Sequence, residues 1–114
     1  MTAKHEATLW FIPNDDRETI NLEHVLPTDP MGNWNSFDPV VARADVKRIG
    51  NLALLLAKHN CDLRSANFET KRGVYENTPY VLTSQIATVH EWNHDRIVER
   101  QKLLAELAVK TWPL

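Results

Sequence analysis

The segment Ile20–Pro27, which reads Ile-Asn-Leu-Glu-His-Val-Leu-Pro, decides how the rest of this sequence is interpreted. Residues 19–22 predict a short strand, with Glu23 and His24 at its end and Pro27 shortly after. Neighbouring side chains on a strand point to opposite faces, so the carboxylate and the imidazole diverge unless the backbone turns there. The segment therefore presents a carboxylate and an imidazole side by side at the end of a strand.

This pair of side chains suits the hydrolysis of a phosphodiester. The imidazole of His24 has an unperturbed pKa of about 6.5, near operating pH, and could act as general base toward a water molecule. The carboxylate of Glu23 could hold a metal ion on the other side of the scissile phosphate. Glu-His pairs are common by chance, so the alternative is a small α+β binding domain in which both residues are incidental.

A second group of polar residues lies further along the chain. Gly50 and Asn51 open an apolar run over residues 51–56, which by length is either a buried strand or the start of a helix. Its position before the polar Lys58-His59-Asn60 favours a short strand followed by a helix. Asn51 and Asn60 stand nine residues apart across this run, and asparagine carbonyls with carboxylates favour Mg²⁺ or Mn²⁺ over zinc.

Local signals predict two further helices. Asp38 is a suitable N-cap for a helix over residues 40–49, with proline at the first helical position and Gly50 after its end. Asn93 is a suitable N-cap for the last helix. That helix is predicted to have a wide buried stripe consisting of Ile97, Leu103, Leu104, Leu107, Ala108 and Thr111. The irregular loop over residues 27–39 is expected to be anchored in the core by Trp34 and Phe37.

The composition is that of a globular protein with an uneven charge distribution. The 114 residues include 43% hydrophobic and 25% charged residues, which suits one domain with a modest core. The single cysteine excludes a disulfide framework or a multi-cysteine zinc site within the chain. Residues 1–38 carry two basic and seven acidic side chains, and residues 39–72 carry seven basic and three acidic ones. A basic middle beside an acidic site fits an enzyme that cuts phosphodiesters, and a charge pattern without function is an equal alternative.

The ordered motifs resemble a known nuclease family. Glu-His-x-x-Pro, then Gly-Asn-Leu opening an apolar strand, then Asn60 on the next helix, is similar to the ββα-metal motif of His-Asn-Asn (HNH) endonucleases. Trp34 lies between the first two motifs, and the order continues after Asn60 with residues 65–71 (Ser-Ala-Asn-Phe-Glu-Thr-Lys), Glu91-Trp92, Ile97, Arg100 and Trp112. Over roughly residues 19–112 the chain resembles the C-terminal domain of GmrSD-type, modification-dependent restriction endonucleases.

The resemblance implies a role for each matching residue. His24 would be the general base, Glu23 the first ligand of one divalent metal ion, and Asn60 the second ligand. Asn51 would brace the loop and help to orient His24 by hydrogen bonding. Glu at position 23 stands where the broad HNH pattern has Asp, and the restriction branch uses Glu. Asn67 is the competing candidate for the second metal ligand. The candidates for contacts to nucleic acid are Arg64, Asn67 and Lys71.

The resulting expectation is a single α+β domain over residues 1–114, with a ββα-metal core at about 19–65 and a helical extension at about 68–112. The expected function is metal-dependent cleavage of DNA in the restriction of modified or foreign DNA, with Mg²⁺ or Mn²⁺ as cofactor. A catalytically inactive module that binds nucleic acid or protein, and a stand-alone toxin nuclease, are the alternatives. A nucleotide-hydrolysing partner domain or subunit is expected from the family, because this chain has no phosphate-binding Gly-rich loop. The sequence shows neither a bilayer-spanning apolar run nor a signal peptide, so a cytoplasmic location is expected.

Overall fold

The segment that carries Glu23 is one strand of an antiparallel pair. The computed structural model describes residues 20–30, 32–34, 36–63 and 65–112, and of residues 60–62 it describes only the backbone. Strand β1 is Ile20–His24 and strand β2 is Leu52–Leu56, with Glu23 opposite Ala53. Buried and half-buried side chains alternate along β2, as expected for a strand with one face on the core. The apolar run after Asn51 is therefore a strand.

Helices follow and flank this sheet in the part of the chain that the structure describes. They are α1 (Pro39–Asp45), a first 3₁₀ turn (Ile49–Asn51), α2 (Ala57–Leu63), α3 (Phe68–Tyr75), α4 (Val81–Ser84), a second 3₁₀ turn (Gln85–Thr88) and α5 (His94–Thr111). The predicted α+β class is confirmed, and the order β1, β2, α2 is compatible with a ββα core followed by C-terminal helices. Among these described helices, none combines the length and apolarity needed to cross a membrane.

A series of aromatic rings runs through the core and connects the long loop to the start of α5. Trp34 and Phe37 are buried, as predicted, and the indole N–H of Trp34 donates to the backbone of Ala66 at 3.0 Å. The ring of Phe68 lies edge-on to Trp34, with 6.2 Å between centroids, and stacks on Trp92 at 5.7 Å. Such contacts fix the relative positions of the loop, α3 and α5 beneath the sheet.

Helix α1 begins where the sequence predicts and ends earlier. The side chain of Asp38 accepts hydrogen bonds from two backbone N–H groups of the first turn, and the proline after it is the first helical residue. The helix ends at Asp45, whereas the sequence predicted that it would extend to residue 49. The carbonyl of Val46, just after the helix, accepts a hydrogen bond from the side-chain amide of Asn51 at 3.3 Å. A bend then leads into the first 3₁₀ turn.

Helix α5 also begins as predicted, but its buried face is shorter. The side chain of Asn93 caps it by accepting from the N–H of Arg96 at 3.0 Å. Ile97 is fully buried, whereas Leu103 and Leu107 are 41% and 37% exposed. The prediction of a wide buried stripe is therefore wrong beyond the first turns. Within the described chain, α5 packs mainly on the first 3₁₀ turn and on α1, and from Lys102 onward its residues are exposed except for the half-buried Leu104.

Candidate functional site

A polar cleft at the end of β1 brings the predicted carboxylate and imidazole together. The cleft has a volume of about 340 Å³ and is bordered by both Glu23 and His24. Glu23 is buried and His24 is half-buried, as the alternation of a strand predicts for neighbouring residues, and β1 ends at His24 before a bend at Val25. The remaining lining residues are Leu22, Pro27, Thr28, Asp29 and Ser65.

Glu23 is a buried carboxylate with two partners from α3. Its side chain is only 3% exposed. The hydroxyl of Tyr75 donates to Oε2 at 3.1 Å, and the ammonium of Lys71 lies 3.6 Å from Oε1. Burial raises the pKa of Glu23, while the charge of Lys71 and the hydrogen bond from Tyr75 oppose that rise. The carboxylate is thus held in place by residues that follow it by about 50 positions in the sequence.

Lys71 lies beneath the strand end and is fully buried. Its ammonium donates to the backbone carbonyl of His24 at 2.8 Å and to that of Val25 at 2.9 Å. Burial lowers the pKa of Lys71, and the charge of Glu23 acts in the opposite direction. The structure therefore gives Lys71 an internal role in place of the predicted contact with a phosphate, because a buried ammonium does not face the solvent.

A helical spacing could have revealed these internal partners. Phe68, Lys71 and Tyr75 follow one another at intervals of three and four residues, which places them on one face of a helix. All three are buried in α3. A lysine between two aromatic residues on a buried face needs an acidic or carbonyl partner, since an unpaired buried charge is costly. The sequence contains that signal, but it does not indicate which residues are the partners of Lys71.

His24 is half-buried, and its environment favours the neutral imidazole. Burial lowers the pKa of His24 from its ordinary value of 6.5, and the nearby charge of Lys71 lowers it further. At neutral pH the ring is therefore unprotonated and able to accept a proton. A neutral imidazole at the edge of a polar cleft is the form that a general base requires.

Asn51 fixes the backbone just after His24. Its fully buried side chain accepts from the N–H of Leu26 at 2.7 Å and donates to the carbonyl of the same residue at 2.9 Å. The indole of Trp92 also donates to its Oδ1 at 3.1 Å, and the N–H of Val25 donates to its backbone carbonyl at 3.0 Å. Asn51 thus holds the backbone of Val25 and Leu26 through hydrogen bonds. Its contribution to orienting His24 stays a prediction.

The other predicted ligands and contacts lie after β2. Asn60 is in α2, the helix that directly follows β2, but its side chain lies outside the described atoms. Arg64 lies outside the described residues. Asn67 is exposed and caps α3, with its Oδ1 accepting from the N–H of Thr70 at 2.9 Å. That side chain is therefore already used to start a helix, and the roles of all three residues stay predictions.

The donors at this cleft fit a hard divalent cation. Within the described residues, no three His, Cys, Asp or Glu side chains come together as a metal site. A metal ion held by Glu23 would therefore need further oxygen ligands, such as amide carbonyls or solvent. Glu23 borders the cleft, and its two carboxylate oxygens, with two lone pairs each, leave acceptor capacity beyond the contacts from Tyr75 and Lys71. Carboxylate and carbonyl oxygens are the ligands that Mg²⁺ and Mn²⁺ prefer.

A protein-family model matches most of the chain. The family model for the C-terminal domain of GmrSD restriction endonucleases matches residues 3–107. Comparison with curated proteins and with solved structures gave no further match. The matched range contains β1, β2, α3 and all the residues that border the cleft. The similarity therefore covers the cleft together with the elements that build it.

Proposed function

The chain belongs to the family of C-terminal domains of GmrSD restriction endonucleases, and on that premise we propose that it is a metal-dependent DNA endonuclease of the HNH type. The observation that carries this proposal is a cleft that is bordered by both Glu23 and His24. The substrate would be modified or foreign DNA. A nucleotide-hydrolysing partner domain or subunit would supply selection of that substrate.

The proposed reaction is hydrolysis of a phosphodiester bond. An unprotonated nitrogen of His24 takes a proton from water as the water oxygen forms a bond to phosphorus. The bond between phosphorus and the leaving oxygen of the sugar then breaks. The lowered pKa of His24 supports this role, because it keeps the imidazole neutral at physiological pH.

In this proposal Glu23 and Asn60 hold one Mg²⁺ or Mn²⁺. When bound, the metal would neutralise charge on the phosphate and on the leaving oxygen. Glu23 supports that assignment because it borders the same cleft as His24. Asn51 would keep the segment after His24 in place through its bonds to Leu26.

One observation favours a second candidate, a catalytically inactive module that binds nucleic acid or protein. The carboxylate of Glu23 already has the ammonium of Lys71 at 3.6 Å and the hydroxyl of Tyr75 at 3.1 Å. Those contacts alone can account for a buried glutamate. Metal binding distinguishes the two candidates, because only the nuclease requires it.

The test is cleavage of supercoiled plasmid DNA with Mg²⁺ or Mn²⁺, with EDTA as the metal-free control. We expect metal-dependent nicking that falls by about 10²- to 10⁴-fold in His24→Ala, the usual effect of losing a general base. His90→Ala is the matched control, because this histidine is exposed and lies away from the cleft. Absence of cleavage together with absence of calorimetric metal binding would overturn the nuclease and favour the interaction module.

A further inference from the structure

The backbone where β1 ends is held from two sides. The ammonium of Lys71 donates hydrogen bonds to the carbonyls of His24 and Val25, at 2.8 and 2.9 Å. The backbone carbonyl of Asn51 accepts from the N–H of Val25. Its side chain accepts from the N–H of Leu26 and donates to the carbonyl of Leu26. Five consecutive backbone groups around the cleft are thus paired with only two residues. Such pairing fixes the direction in which the side chains of this segment point.

The geometry of Lys71 matches the number of its donors. An ammonium group has three N–H donors and no acceptor. Its three oxygen neighbours are the carbonyls of His24 and Val25 and the Oε1 of Glu23, which lies 3.6 Å away. Two of these neighbours belong to the residues proposed as base and metal ligand. The buried side chain of Lys71 therefore contacts both the proposed base, His24, and the proposed metal ligand, Glu23.

The ion pair with Glu23 alone does not account for a lysine at this position. Replacing a buried ion pair by well-packed apolar residues is often neutral or stabilising, so such a pair is weak support for a purely structural role. The site is also rich in apolar neighbours, since Phe68 and Trp34 lie beside it and Nζ is 5.8 Å from the Trp34 ring centroid. An apolar side chain could fill this space, but it would leave two backbone carbonyls without a partner.

We propose that Lys71 is a positioning residue for the reaction, which holds the backbone of His24 and the carboxylate of Glu23 in their working orientation. The inference rests on the proposed function, since it assigns a role within that same cleft. Because Lys71 is fully buried, the proposed role involves no contact of its side chain with DNA or with the attacking water. It acts through the backbone carbonyls of residues 24 and 25 and through Oε1 of Glu23.

The first test is the Lys71→Met variant, which keeps the length of the side chain and removes the ammonium. We expect kcat for plasmid cleavage to fall about 100-fold while KM for DNA is unchanged, because a displacement of about 1 Å costs that much. The matched control is Lys102→Met, since Lys102 is an exposed lysine of α5 and should keep both constants. A folded Lys71→Met variant with unchanged kcat would overturn the proposal.

A second measurement does not depend on activity or on the folding of that variant. Lys71→Gln keeps an N–H donor and loses the charge and the threefold arrangement. In ¹³C NMR spectra without metal, we expect shifted carbonyl resonances of His24 and Val25 and shifted ring resonances of His24. Unchanged resonances in the folded variant would overturn the positioning role. An inactive native protein would instead overturn the proposed function, and these spectra would still decide whether Lys71 orients the segment.

Discussion

Asn51 shows how much of this site depends on one buried amide. Its side chain makes hydrogen bonds to both backbone groups of Leu26, to the carbonyl of Val46 and to the indole of Trp92. All four partners belong to segments that are far apart in sequence or separated by a bend. The residue therefore joins the strand end, α1 and the start of α5 at one point.

Replacing Asn51 by aspartate should be strongly destabilising. Asn51→Asp turns the donor to Leu26 and Val46 into an acceptor and buries a charge, so we expect a loss of about 3 kcal/mol in the free energy of unfolding. Urea denaturation measures this loss. The exposed Asn77→Asp is the control, with an expected change below about 1 kcal/mol. Equal changes in the two variants would contradict the bracing role of the buried amide.

The pKa of His24 predicts the acidic limb of the rate profile. Burial lowers this pKa below 6.5, so the ring loses its proton at a lower pH than a free histidine. Activity should be full at neutral pH and should fall as pH decreases through the lowered pKa. The dependence of kcat/KM on pH measures this limb. A midpoint at or above 6.5 would contradict the lowered pKa of His24.

At the residue scale, the sequence could predict only what lies close together along the chain. Glu23 and His24 are adjacent and Asn51 precedes an apolar strand, so their pattern is readable without a structure. Lys71 and Tyr75 follow Glu23 by about 50 residues, and nothing local indicates that α3 lies beneath β1. Their partnership arises from the tertiary fold, and the sequence therefore suggested a phosphate contact for Lys71 instead.

Among the elements, the first 3₁₀ turn and α5 approach each other unusually closely. A Cβ atom at Gly50 would lie 2.0 Å from the backbone carbonyl oxygen of Ile97. Arg100 fastens the same contact by donating to the carbonyls of Gly50 at 3.1 Å and Leu52 at 2.6 Å. The turn that carries Asn51 is thus positioned by α5, and the absence of a side chain at residue 50 allows it.

Two glycine substitutions test this contact between elements. Gly50→Ala should lower the free energy of unfolding by about 3 kcal/mol, because backbone atoms must separate to admit the methyl group. Gly73→Ala, in α3 with open space around its Cβ position, should raise it by about 0.5–1 kcal/mol. Thermal and urea unfolding measure both values. A Gly50→Ala variant as stable as the native chain would contradict the close approach.

A pair of variants on α5 separates the predicted stripe from the observed one. Ile97→Ala removes a fully buried side chain and should cost about 3 kcal/mol of unfolding free energy. Leu107→Ala removes a partly exposed one and should cost less than about 1 kcal/mol. Urea denaturation of both variants gives the comparison. Equal costs would show that the distal half of α5 is buried after all.

At the element scale, helix starts were predictable and helix faces were not. Asp38 and Asn93 cap their helices through bonds to neighbouring residues, so the signal is local. The end of α1 depends on Asn51, and the burial of α5 depends on which elements pack against it. Periodic leucines indicate a face that could be buried, and only the tertiary arrangement decides how far along the helix burial extends.

Over the whole molecule, the proposed site draws on segments from most of the described chain. β1 supplies Glu23 and His24, the first 3₁₀ turn supplies Asn51, and α3 supplies Lys71, while Trp92 before α5 braces the asparagine. Such a site exists only when the sheet, α3 and α5 are packed together. The α+β class and the order of strand, strand and helix followed from the ordered motifs. The buried support beneath the strand did not, because it requires the packed fold.

If His24 removes a proton from water in a metal-dependent cleavage, a free imidazole should be able to replace its side chain. His24→Gly leaves space for a free imidazole, and plasmid nicking with Mg²⁺ or Mn²⁺ should be nearly abolished in this variant. Added imidazole should restore nicking in proportion to its concentration, and should not restore it in Glu23→Ala. His24→Gly that nicks plasmid as fast as the native protein without imidazole would contradict the account.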